Sequence, residues 1–207
     1  MVEPVQGEGG IRPADLNFLR GLRQICDREG ILLIFDEVQC GMGRTGKVFA
    51  YQTYGVVPDI VTMAKGLGGG IPIGAMLASE KAASGFAPGD HASTFGGNPL
   101  VTAVANQVID IITGEGFLEQ VTRTGDYLVQ SLKGIKDSRI IEVRGRGLML
   151  GIEFDRDIKE LVNICMQKGL LVLGAGNRVL RMVPPLTINE TEVNQAVNIL
   201  KQALKEW

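Results

Sequence analysis

Cysteine is scarce in this sequence: Cys26, Cys40 and Cys165 are odd in number and far apart. No Cys-x-x-Cys pair occurs, so neither a disulfide framework nor a zinc site is expected, and a reducing, cytoplasmic setting fits. An excess of positive charge is also missing. The 21 Lys and Arg are scattered against 23 Asp and Glu, for a formal net charge of −2. That balance gives no basic field of the kind a nucleic-acid binder needs. No apolar run approaches the roughly 20 residues of a membrane span, and Met1-Val2-Glu3-Pro4 lacks the basic and apolar regions of a signal peptide. A soluble, non-exported protein without nucleic-acid or membrane partners is the expectation. At 207 residues, 45% apolar and 21% charged, the chain suffices for one sizeable core or two small ones.

Glycine is abundant instead. The 28 glycines lie well above the average share of about 7% and cluster at 7–10, 41–46, 66–70, 96–97 and 145–151. Such clusters mark backbone that turns tightly or approaches a ligand.

Leu16, Leu19, Leu22, Arg23 and Cys26 recur at near-helical spacing, which predicts an amphipathic helix over 13–29 with Pro13 in its first turn and Gly30 as its stop. Ile31 to Phe35 is a continuous apolar run too short for a helix, as suits a strand buried in a parallel sheet. Further strands are predicted at 59–64 and 74–78, and the alternation argues for an α/β domain. Asn98 and Pro99 cap a helix running to about Ile112. A domain boundary is placed at Gly114 to Gly116, giving domains 1–114 and 115–207. In the second, helices are predicted at 117–135, 157–168 and 190–207, with strands over 139–154, broken by Gly145, Gly147 and Gly151, and at 179–183. This half reads as a small α+β domain.

Two nucleotide motifs are incomplete. Gly41-Met42-Gly43-Arg44-Thr45-Gly46 has the spacing of a dinucleotide-binding turn, with Asp59 as candidate ribose partner, but 49–55 is a poor continuation for the helix that must hold a pyrophosphate. The same segment spells most of a P-loop, with Val48 where a magnesium-binding hydroxyl is required.

Two charged residues stand where charge is costly. Asp36 closes one predicted buried strand, and a carboxylate there calls for a positive partner. Lys65 closes another and runs straight into Gly66-Leu67-Gly68-Gly69-Gly70, where backbone can come close to a ligand. Ligands of open α/β sheets bind beyond the carboxyl ends of the strands, which brings both to one crevice. The simplest ligand that needs both is pyridoxal phosphate, whose aldehyde takes a lysine and whose pyridinium nitrogen takes an aspartate. A charge-assisted hydrogen bond of that kind is worth roughly 1.5–3 kcal/mol.

Asp36-Glu37-Val38-Gln39, Gly41 to Gly46, Pro58-Asp59-Ile60, Lys65 to Gly70 and Pro72-Ile73-Gly74-Ala75, in this order and spacing, resemble the pattern of class III aminotransferases. The similarity continues through Glu3 to Gly10, Ser93 to Leu100 and Val179 to Leu186, nearly the whole chain. The resemblance implies a fold type I pyridoxal-phosphate-dependent transferase: part of a large domain with a mainly parallel sheet, followed by a small α+β domain. It implies that Lys65 forms the Schiff base and carries a proton between substrate and cofactor, that Asp36 binds the pyridine nitrogen, and that Gln39 hydrogen-bonds the phenolic oxygen. Glu37 beside Asp36 is read as structural. Ser93 and Thr94 would meet the phosphate, Thr94 that of a neighbouring subunit, which implies a homodimer with shared sites. Arg181 would grip the α-carboxylate of the amino donor or of 2-oxoglutarate, and Glu8 would pair with it when no carboxylate is bound, so that ping-pong kinetics follow. His91, the only histidine, has no part in that chemistry, and Arg44, Arg144 and Arg146 stay unassigned.

Within the family, 171–181 and 146–153 look most like the acetylornithine type, which moves the δ-amino group of N2-acetylornithine to 2-oxoglutarate in arginine biosynthesis. Ornithine, succinylornithine, succinyldiaminopimelate and 4-aminobutyrate are the alternative donors. The family has roughly as many residues again before the position of Met1, including its phosphate-cupping loop. A fragment, or a non-catalytic chain that pairs with another subunit, is therefore the rival reading.

Overall fold

The computed structural model describes residues 1–207. In chain order the first elements are β1 (Val5–Gln6), β2 (Arg12–Pro13), α1 (Leu16–Glu29), β3 (Ile34–Asp36), α2 (Tyr51–Tyr54), β4 (Ile60–Met63), a 3-10 turn (Lys65–Gly68), β5 (Ala75–Ala78), α3 (Glu80–Ala83) and α4 (Pro99–Thr113). Then come α5 (Phe117–Lys133), β6 (Ile140–Arg146), β7 (Met149–Phe154), α6 (Lys159–Gln167), β8 (Leu173–Ala175), β9 (Val179–Met182) and α7 (Glu190–Glu206). They form two compact units: one of Met1–Pro4, Ala14–Gly43 and Lys47–Leu118, the other of Val5–Pro13, Arg44–Gly46 and Glu119–Trp207. No helix is long and apolar enough to cross a membrane.

The first unit holds a sheet in the order β3-β4-β5. β3 and β4 run parallel, with Asp36 opposite Thr62, and β5 returns antiparallel to β4. Val2 adds a further parallel bridge, to Phe35. Leu19 of α1 is fully buried and packs with Leu33, Phe35, Tyr54 and Val56. The helix starts later than its apolar spacing predicts. Asp15 takes the N-cap position, its carboxylate accepting from Asn17 N at 2.8 Å and Phe18 N at 3.1 Å, while Pro13 is drawn into β2 opposite Val5. Gly30 ends the helix as predicted, in the left-handed region at φ 67°. That turn holds Ile31 N on Cys26 O at 2.9 Å and leaves Ile31 55% exposed, so the strand is shorter than the apolar run. Asn98 caps α4, accepting from Val101 N, with Pro99 in the first turn.

The second unit is an antiparallel sheet in the order β6-β7-β9-β8, with α5, α6 and α7 and the small β1–β2 hairpin. Its core draws Leu148, Leu150, Ile152 and Phe154 from the β7 segment, Leu180 from β9, and Val193, Val197 and Leu200 from α7, each 3% exposed or less. Gly145 and Gly151 do not break strands, contrary to expectation; both lie inside them. A Cβ at Gly151 would stand 2.9 Å from Ile11, so glycine there admits a close-packed neighbour rather than a turn. Only Gly147, at φ 54°, sits in the hairpin turn. At the end of the chain the Trp207 ring meets Phe154 edge-on at 5.2 Å and carries Arg139 over its face at 4.5 Å.

Candidate active site

Within the first unit, Asp36 ends β3 and Lys65 follows two residues past the end of the adjacent parallel strand β4. Asp36 is opposite Thr62, and the chain continues through Met63 and Ala64 to Lys65. Parallel neighbours in register point to the same face, and the Thr62 hydroxyl there is buried without a hydrogen-bond partner. A buried polar atom left open in this way invites an incoming polar group. The Asp36 carboxylate accepts from Val38 N at 3.0 Å, Gly41 N closes on Glu37 O at 2.9 Å, and Cys40 Sγ lies 3.7 Å from Asp36 O. These bonds shape a tight turn that carries Gln39, half-buried, just past the strand.

Lys65 is exposed and its backbone is left-handed, at φ 45°. A residue with a Cβ rarely adopts that conformation, and such strain of about 1–3 kcal/mol gathers at functional positions. The following glycines permit close approach: Gly69 also has φ 57°, and a Cβ there would stand 2.9 Å from Val108 of α4. Ser93 Oγ accepts from Gly96 N at 3.0 Å, forming a local turn ahead of α4; Ser93 and Thr94 are exposed. His91 rests on Phe86, ring centroids 5.4 Å apart.

Glu8 and Arg181 come together in the second unit. Arg181 stands on β9 between Gly151 and Leu173, its side chain 11% exposed, and its guanidinium donates to Glu8 Oε1 at 2.5 Å. The Glu8 side chain is 70% exposed, so the pair joins a covered arginine to a solvent-facing acid. Glu8 and Arg12 border an open cleft of about 550 Å³ with Glu153 and Arg178.

Three further charged groups are held largely by backbone within the two units, of which Glu37 alone is fully buried. Glu37 is fully buried and accepts from Ala50 N at 2.5 Å and Tyr51 N at 2.8 Å; burial pushes its carboxyl up to about 7 against the pull of those two donors. Arg44 donates to Leu148 O at 3.2 Å and Pro184 O at 2.5 Å, and burial lowers it to about 10. Arg144 donates to Gly10 O at 2.7 Å, to Ile11 O at 3.1 Å and to Glu153, holding the loop of the β1–β2 hairpin on which Glu8 lies. Asp59, the candidate ribose partner, is occupied at the start of β4 by Leu33 N at 2.7 Å and Arg23 at 2.8 Å. Past the Gly41 to Gly46 turn there is only the four-residue α2, so the dinucleotide reading lacks its helix.

The family model for Aminotransferase class-III matches residues 1–204. The chain belongs to the class-III aminotransferases. It is 49% identical to the acetylornithine aminotransferase of Clostridium acetobutylicum, a match covering 99% of this chain and 54% of that one. Among solved structures, N-acetylornithine aminotransferase from Stenotrophomonas maltophilia superposes with TM-score 0.88 at 42% identity, covering 99% of this chain and 55% of the other. Plasmodium falciparum ornithine delta-aminotransferase gives TM-score 0.92 at 32% identity over 99% and 55%. The mixed α/β fold is that of these solved aminotransferases, and the chain spans about half the length of the curated relatives it matches.

Proposed function

We propose that this chain serves in a cytoplasmic, pyridoxal-phosphate-dependent aminotransferase that moves the δ-amino group of N2-acetylornithine to 2-oxoglutarate, as a step of arginine biosynthesis. The observation that carries the reading is the placement of Asp36 at the carboxyl end of β3 and of Lys65 just past that of its parallel neighbour β4. The unpartnered Thr62 hydroxyl beside them suits a polar cofactor. When bound, pyridoxal phosphate supplies an aldehyde for an amine and a ring that draws electrons from the carbon losing its proton. Asp36 would keep the proton on the ring nitrogen. Lys65 Nζ would hold the cofactor covalently and, when freed by a substrate amine, would carry the proton at the reacting carbon. Gln39 hydrogen-bonds the phenolic oxygen. Ser93 and Thr94 offer hydroxyls to phosphate, Thr94 to that of a second copy in a homodimer. Arg181, released by Glu8, grips a substrate carboxylate with its two-point fork.

The donor is favoured by identity: the acetylornithine aminotransferase relative is 49% identical, the ornithine delta-aminotransferase structure 32%. Ornithine is the second reading, supported by that structure's TM-score of 0.92. Glutamate formation from 2-oxoglutarate, with each donor in turn, tests the choice. A kcat/KM at least about tenfold higher for N2-acetylornithine is expected, since close analogues differ by only about 1–3 kcal/mol in a pocket. Preference for ornithine or 4-aminobutyrate would overturn it.

A further inference from the structure

Glu37 has no part in the chemistry proposed above, yet every polar group it owns is engaged around the turn that carries that chemistry. Its backbone N–H donates to Thr62 O on β4 at 2.9 Å, and its carbonyl accepts from Gly41 N at 2.9 Å. The carboxyl, with no solvent exposure, reaches across thirteen residues to Ala50 N and Tyr51 N. Gly41 is packed so tightly against it that a Cβ there would stand 2.8 Å from Glu37 O and 3.2 Å from Glu37 Oε2. The loop 38–49 is thus closed at its base by one buried side chain, with Asp36 and Gln39 on the turn beside it.

We propose that Glu37 is a positioning residue: its buried carboxyl, by holding the Ala50 and Tyr51 N–H groups, fixes the turn from Asp36 to Gly41 and with it the Asp36 carboxylate and the Gln39 amide. The functional meaning rests on the reading of Asp36 and Gln39 as cofactor ligands; the clamp itself does not. An ordinary surface glutamate could not act this way, because water would compete for both N–H groups. Burial and the two N–H groups are what move this carboxyl; no charged side chain acts on it.

Residue-resolved amide hydrogen exchange on the chain without cofactor, in wild type and Glu37→Gln across pH, tests the clamp. Glutamine keeps the shape but removes one acceptor, so protection at Ala50 and Tyr51 falls about tenfold, and that at Val38 and Gly41 falls with it. Opening the loop releases the carboxyl to water. Wild-type protection at all four amides therefore decreases as pH rises from about 5 to about 7 and levels off above, whereas the variant shows no such slope. Loss confined to Ala50 and Tyr51, with Val38 and Gly41 unchanged, overturns the proposal, since Glu37 would then cap α2 alone. If the variant does not fold, the wild-type series decides: a midpoint shared by all four amides supports the clamp, and pH-independent protection at Val38 and Gly41 overturns it. Failure of cofactor binding would strike the function proposed above and leave the exchange result standing.

Discussion

At the scale of single residues, the charged groups that the sequence exposes are those placed where charge is costly without a partner. Asp36 and Lys65 end apolar runs, and no apolar strand needs either. Arg181→Lys tests the proposed carboxylate grip: replacing the planar fork by a point charge is expected to raise KM for 2-oxoglutarate by about tenfold or more, read from steady-state kinetics. An unchanged KM would remove Arg181 from substrate binding. Glu37 sets a pH dependence of stability. Its folded value of about 7 lies above the ordinary 4.5, so its stabilising contribution is fully present below about 4.5 and is lost as pH rises through about 7. The interval corresponds to about 3 kcal/mol. Urea midpoints should fall across that window in wild type and not in Glu37→Gln. Arg44 and Arg144 were illegible for a plain reason: their main partners are backbone carbonyls, which every sequence offers everywhere.

Among the elements, those with chemical punctuation were readable. Asn98 with Pro99 opens α4 and Gly30 closes α1, while Asn189 opens α7 in a capping box with Glu192. Replacing Asn189 by alanine should cost about 1 kcal/mol in chemical denaturation; no change would mean the box is frayed in solution. The short pieces were unreadable. β1 and β2 have two residues each and β8 three, too few for alternation to register, and their pairing is decided by distant partners. Gly145 shows how a glycine misleads. It lies at the penultimate position of β6 at φ 128°, where a Cβ would fall 2.1 Å from Met149 O, so it keeps the hairpin together rather than interrupting it. Gly145→Ala should therefore destabilise the second unit by more than about 2 kcal/mol, and a wild-type melting temperature would contradict the assignment.

Across the whole molecule, residues 1–204 match one family model, and the first unit carries bare apolar surface. All four residues of β5 are exposed, as are Phe86, Phe95 and Leu100. Surface of that kind predicts self-association in solution, and a monodisperse monomer in sedimentation would contradict it. The central claim, that this chain carries the lysine and aspartate of a pyridoxal-phosphate site, is tested most directly by adding the cofactor, reducing with borohydride and mapping the label by peptide mass spectrometry. The account predicts one pyridoxyl group on Lys65, diminished in Asp36→Ala. Label spread over surface lysines such as Lys47 and Lys81, with Lys65 no more reactive than they are, would contradict it.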